Sequence, residues 1–287
     1  MLQENVKIHC GKNISTAGRI WLSNGVEPAD DQVINGVPYE QNSFWPRTPW
    51  RQPEPEELNL LLTHHEEPAY NQNVGIVRMP DTLIEKATTL NIQQLLNEKE
   101  LVRLRKEQPA EYLGFSNHLK EVINSYLFSK EKWHPIGWVF NDSPQRRTLT
   151  INFKTGKYLG LHMDSWEAMN IVNLDEAPNR ICINFGKSPR YFLFVNLTMN
   201  KIYELTRQRY SVNPDSLGQD LLTINFFKLF PDYPVVRIKV DPFEAYIAPT
   251  ENIIHDGNTE DCTTLDIHYT VRGYVSLNTP IYENTGY

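Results

Sequence analysis

The chain is 287 residues long, 40 % hydrophobic, and carries a formal net charge of −7. An acid excess without a dominant basic stretch argues against a nucleic-acid or anionic-membrane partner, since both need a cationic footprint. No apolar run reaches the ~18–20 residues that span a bilayer. The opening MLQENVKIHC lacks the basic start and apolar stretch of a secretory leader. Three scattered cysteines, Cys10, Cys182 and Cys262, suit a reducing cytoplasm better than a disulfide framework or a zinc ribbon.

Residues 1–78 show no sustained periodicity. The stretch Phe44-Trp45-Pro46-Arg47-Thr48-Pro49-Trp50 discourages helix through its prolines and disorder through its aromatics. It is expected to form an irregular arm over the rest of one domain, 1–287. The run His64-His65-Glu66-Glu67 resembles a metal set only superficially, because adjacent loop residues rarely converge on one ion, and a solvated loop is expected there. Residues 79–130 read as a helical buttress. One helix is expected from Asp81 to Lys106, with Leu83, Ile84, Ala87 and Leu90 on its apolar face, and a second from Ala110 to Ser129. A further short helix is expected within Leu217 to Phe230.

From residue 131 the period shifts towards two, and short segments bounded by Gly, Pro, Asn and Asp suggest strands. They fall at about 135–141, 147–153, 158–164, 179–185, 190–196, 200–205, 234–240, 244–248 and 264–275. Thr264, Asp266, His268, Thr270 and Arg272 share one face of the last strand, and Leu265, Ile267, Tyr269 and Val271 share the other. Asn152 and Asn184 likewise lie on polar strand faces. Such alternation fits either a half-solvated sheet or a barrel with a polar lining.

The polar faces also carry the best metal-ligand set of the chain. His162 and Asp164 stand two residues apart near a strand end, so they face one way with Cα atoms about 6–7 Å apart. His255 follows an apolar pair and precedes a turn, and Arg272 offers a planar fork suited to a carboxylate. Two histidines and one carboxylate on one face suit non-haem Fe(II) with open positions. His268 is the rival third ligand, but it shares a strand with Arg272.

The order HxD, a distant His, then Arg on a later strand resembles the Fe(II)/2-oxoglutarate-dependent dioxygenase superfamily over residues 135–275. That resemblance implies a double-stranded β-helix (a jelly roll of the cupin class, mainly β with flanking helices). It implies His162, Asp164 and His255 as ligands of Fe(II), with 2-oxoglutarate and O2 as cosubstrates. Arg272 is then expected at the distal cosubstrate carboxylate, with Asn152, Thr270 and Asn184 as further cosubstrate contacts and Trp166 and His268 near the substrate. Many members follow the Arg by Ser two residues on, whereas this chain has Gly273 and Tyr274. The expected reaction is hydroxylation of a small molecule, an amino acid or a natural-product intermediate, free or else peptide- or carrier-bound. Two other readings stay open: a cupin-type metalloenzyme without 2-oxoglutarate, which has no use for Arg272, and a non-catalytic binding jelly roll.

Overall fold

The computed structural model describes residues 2–11, 13–63, 71–127, 133–141, 145–209, 219–275 and 277. The run His64-His65-Glu66-Glu67 lies outside them. The N-terminal region forms short strands: β1 (Lys7–Cys10), β2 (Ile20–Leu22), β3 (Val26–Pro28), β4 (Val33–Ile34), β5 (Val37–Pro38) and β6 (Phe44–Pro46). Helix α1 (Pro55–Leu61), strand β7 (Asn73–Arg78) and helices α2 (Asp81–Thr89), α3 (Glu98–Glu107) and α4 (Pro109–Ser125) follow. The remaining elements are β8 (His134–Asn141), β9 (Asn179–Asn184), β10 (Arg190–Thr198), α5 (Met199–Arg207), α6 (Gln219–Leu229), β11 (Val236–Val240), β12 (Glu244–Ala248), β13 (Ile253–Asn258) and β14 (Asp266–Gly273).

Two sheets carry the architecture. The larger has the order β1-β7-β12-β9-β14-β8, and the smaller β13-β10-β11-β2. Strands β9 to β14 thus distribute themselves over both sheets: β9, β12 and β14 in the larger face β10, β11 and β13 in the smaller across an interior. Val74, Ile76, Cys182, Tyr246 and Ala248 from the large sheet meet Phe192, Phe194, Val236, Ile238 and Ile253 from the small one. The outer face of the large sheet, with Ile181, Ile183, Ile247, Ile267 and Val271, packs on Leu83, Phe115 and Leu119 of α2 and α4. The outer face of the small sheet, with Leu193, Val195 and Leu197, is covered by Met199, Ile202, Leu222 and Phe226 of α5 and α6. Both sheets are therefore buried on two sides, and the protein is mostly β with flanking helices.

Several expectations change. The arm is not merely laid over the domain: β1 and β7 extend the large sheet and β2 edges the small one. The expected strand 200–205 is helix α5, because the Thr198 side chain caps it by accepting from Lys201 N and because Met199, Ile202 and Thr206 share its buried face. The long helix from Asp81 breaks at Asn91, whose φ is +52°, and restarts at Asn97, which accepts from Glu100 N. Segments 147–153 and 158–164 form isolated bridges rather than strands. Asp256 explains part of this. Its Oδ1 accepts from Leu149 N and Thr150 N, both at 3.1 Å, so a carboxylate takes the place of a ladder. Among the described residues no helix is long and apolar enough to cross a membrane.

Candidate metal centre

His162, Asp164 and His255 come together at one end of the interior. Each offers a ligand atom, and these atoms all lie within 4.8 Å of one another. His255 is placed by β13 and His162 by a bridge to it: His162 N donates to His255 O at 3.1 Å and His255 N to His162 O at 2.7 Å. The turn before His162 depends on Gly160, whose φ is +70° and whose added Cβ would stand 2.5 Å from Phe44 O. That close approach lets Leu161 N reach Phe44 O at 2.8 Å.

Backbone carbonyls then aim both rings. His162 Nδ1 lies 2.9 Å from Gly160 O and His255 Nδ1 lies 3.2 Å from Ile253 O. With Nδ1 held this way, each Nε2 is the free lone pair, as metal-ligating histidines require. His162 Nε2 is 3.8 Å from Asp164 Oδ1 and His255 Nε2 is 3.7 Å from Asp164 Oδ2. His255 Nε2 is buried without a hydrogen-bond partner, the condition of a ligand atom rather than of a satisfied core histidine. Burial, opposed by Asp164, pushes the His255 pKa down to about 3, so its ring is neutral and able to ligate at pH 7. The three side chains fit a divalent cation.

Arg180 on β9 completes the charge balance. Its Nη2 donates to Asp164 Oδ2 at 2.5 Å. Burial alone would raise the Asp164 pKa, but Arg180, then His255 and His162, outweigh it and hold it at about 2. Deeper in the interior, Arg190 Nη1 donates to Cys182 Sγ at 2.5 Å, and Arg190 Nε lies 3.2 Å from Asp266 Oδ1. His268 Nδ1 is 3.4 Å from the same oxygen. Burial would raise the Asp266 pKa, yet Arg190 and His268 bring it to about 2.

The other expected site residues divide. Arg272 lies at the rim, where Nη2 donates to Glu167 Oε1 at 2.8 Å and also to Glu251 Oε1, with the guanidinium 5.2 Å from the Trp166 ring centroid. It thus pairs with two carboxylates. Trp166 is 55 % exposed at that rim. Thr270 is buried on β14, opposite Cys182 of β9. Asn152 and Asn184 do not join the site. Asn152 donates to Glu40 Oε1 and accepts from Lys154 N, which fastens a surface turn. Asn184 donates to Ser188 O and Val240 O and accepts from Gly186 N, so its amide is consumed by backbone groups.

Arg180, Arg190, Tyr246 and Asp266 escaped the sequence reading as site residues. Arg180 had a signal, since it shares the parity of Asn184 on the same strand. Arg190 had one too, as a lone cation opening the apolar run Tyr191-Phe192-Leu193-Phe194. A cavity of about 500 Å³, lined among others by Arg105, Tyr112, Phe115, Trp138 and Tyr269, lies on the helical side of the large sheet, across from the His–Asp–His set.

No protein-family model matches the sequence, and no curated protein does. Among solved structures, three of the Kdo hydroxylase KdoO, a non-heme Fe(II) alphaketoglutarate dependent dioxygenase, are similar. They were determined with cobalt(II), with succinate and Fe(III), and with alphaketoglutarate and Fe(III). In each case identity is 12 %, the match covers 71 % of this chain and 80 % of that one, and the TM-score is 0.37. A likeness of that size carries no weight for chemistry, which rests on the side chains.

Proposed function

We propose that this chain is a non-haem Fe(II) oxygenase using 2-oxoglutarate and O2 to hydroxylate an unactivated C–H bond of a small molecule. The observation that carries the reading is the convergence of His162 Nε2, His255 Nε2 and an Asp164 carboxylate oxygen, with one imidazole nitrogen buried and unpartnered. We further read the interleaving of β9 to β14 between the sheets as a double-stranded β-helix, with the metal at one mouth of its interior. Two His and one carboxylate leave positions open for cosubstrate and O2.

His162, His255 and Asp164 would hold Fe(II), which when bound couples the oxidative decarboxylation of 2-oxoglutarate to the activation of O2. Gly160 O and Ile253 O keep the two imidazoles aimed. Phe192, whose ring centroid lies 5.7 Å from that of His255, walls one side of the site and excludes water from it. Trp166 and Glu167 stand at the rim, where a half-exposed carboxylate beside an indole suits the amine of an amino acid or a natural-product intermediate.

The test is an anaerobic Fe(II) titration with and without 2-oxoglutarate, following the visible charge-transfer band. The expected result is a band in the wild type that Asp164→Ala abolishes. Stoichiometric Fe(II) binding without a band would refute the 2-oxoglutarate assignment in favour of a cupin-type metalloenzyme, and no Fe(II) binding would leave a binding jelly roll.

A further inference from the structure

We infer that Arg190 of β10, not Arg272 of β14, receives the far carboxylate of the cosubstrate; the inference rests on the oxygenase reading above. The strand registers divide the interior into rows. Arg180 of β9 stands opposite Arg272 of β14, and Cys182 stands opposite both Thr270 of β14 and Tyr246 of β12. Arg180 touches Asp164, so the first row is the level of the metal ligands. The second row, Cys182, Thr270 and Tyr246, lies one two-residue step deeper, about 7 Å along the strand. That distance is close to the reach of a five-carbon diacid held at the metal by its keto-acid end. Arg190 places its guanidinium on Cys182 Sγ at 2.5 Å, in that second row. Arg272, in the first, has no such depth.

Charge separates the two arginines as well. One guanidinium at Arg272 faces two carboxylates, Glu167 and Glu251, which leaves that corner net negative and repels an incoming dianion. Arg190 faces one carboxylate, Asp266, in an ion pair at 3.2 Å whose geometry is not that of a hydrogen bond. Arg190 Nε, both Asp266 oxygens and His268 Nδ1 are buried there without hydrogen-bond partners. Such a cluster is costly unless something polar engages it. Tyr246, stacked on Phe192 with ring centroids 4.2 Å apart, and Thr270 add hydroxyls to the same row. Asp266 thereby acts as a positioning residue, which holds the Arg190 side chain along the interior rather than across it.

The test uses Mn(II)-loaded full-length protein and calorimetric titration with two acids: 2-oxoglutarate, and 2-oxopentanoate, which keeps the keto-acid end but lacks the far carboxylate. The wild type is expected to prefer 2-oxoglutarate strongly. Arg190→Gln is expected to weaken 2-oxoglutarate by at least about 30-fold, the loss typical of truncating one partner of a buried charge pair, and to leave 2-oxopentanoate within about threefold. Arg190→Gln/Asp266→Asn removes both charges of the pair, so it carries the same test should the single variant fold poorly. Arg272→Gln is expected to keep the preference for 2-oxoglutarate. Loss of the preference in Arg272→Gln with its retention in the Arg190 variants would overturn the assignment. Wild-type protein that binds Mn(II) and neither acid would instead remove the oxygenase reading on which the assignment stands.

Discussion

The pair Asp164–Arg180 gives a stability prediction that is independent of catalysis. In metal-free protein, Asp164→Ala leaves the Arg180 guanidinium buried beside two histidines and no carboxylate, having lost a 2.5 Å ion pair. Both partners are mostly shielded, with side-chain exposures of 17 % and 9 %, so solvent screening discounts the interaction little. Breaking a buried pair from one side costs about 3–5 kcal/mol, which for a chain of this length lowers the melting temperature by about 5–10 °C. Removing both charges in Asp164→Ala/Arg180→Met relieves the penalty and is expected to restore most of that loss. Thermal unfolding in the presence of a chelator, run on wild type, both single variants and the double variant, gives the coupling as a double-mutant cycle. A coupling below about 0.5 kcal/mol would show that Arg180 does not stand in as the counter-charge of Asp164, and the charge logic proposed for the interior would fail with it.

Two further predictions concern the supports of the site. Gly160→Ala places a Cβ 2.5 Å from Phe44 O at a φ of +70°. The strained φ costs about 1–2 kcal/mol and the overpacking about 1–3 kcal/mol, so urea unfolding should show a loss of about 2–5 kcal/mol together with weaker Mn(II) binding, and unchanged stability would contradict the turn described. Asp266 has its pKa lowered from 3.8 to about 2 by Arg190 and His268 against the opposing effect of burial. A depressed carboxylate contributes stability above its unfolded pKa and loses it as pH falls through the folded one, here between about pH 4 and pH 2, worth about 2 kcal/mol. The stability gap between wild type and Asp266→Asn should therefore narrow below pH 4, and a gap that stays constant would refute the pairing.

The convergence of His162, Asp164 and His255 was legible in part because HxD needs only strand parity, and β14 showed its two faces as plain alternation. The helices around Asp81 and Ala110 were visible for the same reason, since their apolar faces repeat at helical spacing. What the sequence concealed depended on contacts distant along the chain. β7 reads as the end of an irregular arm, yet Val74 and Ile76 are fully buried because β1 and β12 flank it. Segment 200–205 alternates like a strand, and only the Thr198 cap and the partner helix α6 decide for a helix. Arg272 looked like the carboxylate anchor because it sits on the polar face of the last strand. Parity says which face a side chain takes, but neither how deep it lies nor that Glu167 and Glu251 wait beside it.

Depth and pairing together give the interior its logic. Buried ion pairs are seldom worth more to stability than apolar residues of the same volume, so Arg180–Asp164 and Arg190–Asp266 are poor choices for a core that only has to hold two sheets together. They make sense as exchangeable partners. Asp164 neutralises Arg180, and on the proposed function the same carboxylate would be the anionic ligand of a divalent cation. A dication bound there would add two positive charges to these two internally neutral pairs, the complement of a dicarboxylate dianion. Binding of the diacid should therefore depend on prior metal binding far more than binding of the metal depends on Arg190, because Arg190 keeps its own counter-ion in Asp266 while Arg180 must share Asp164.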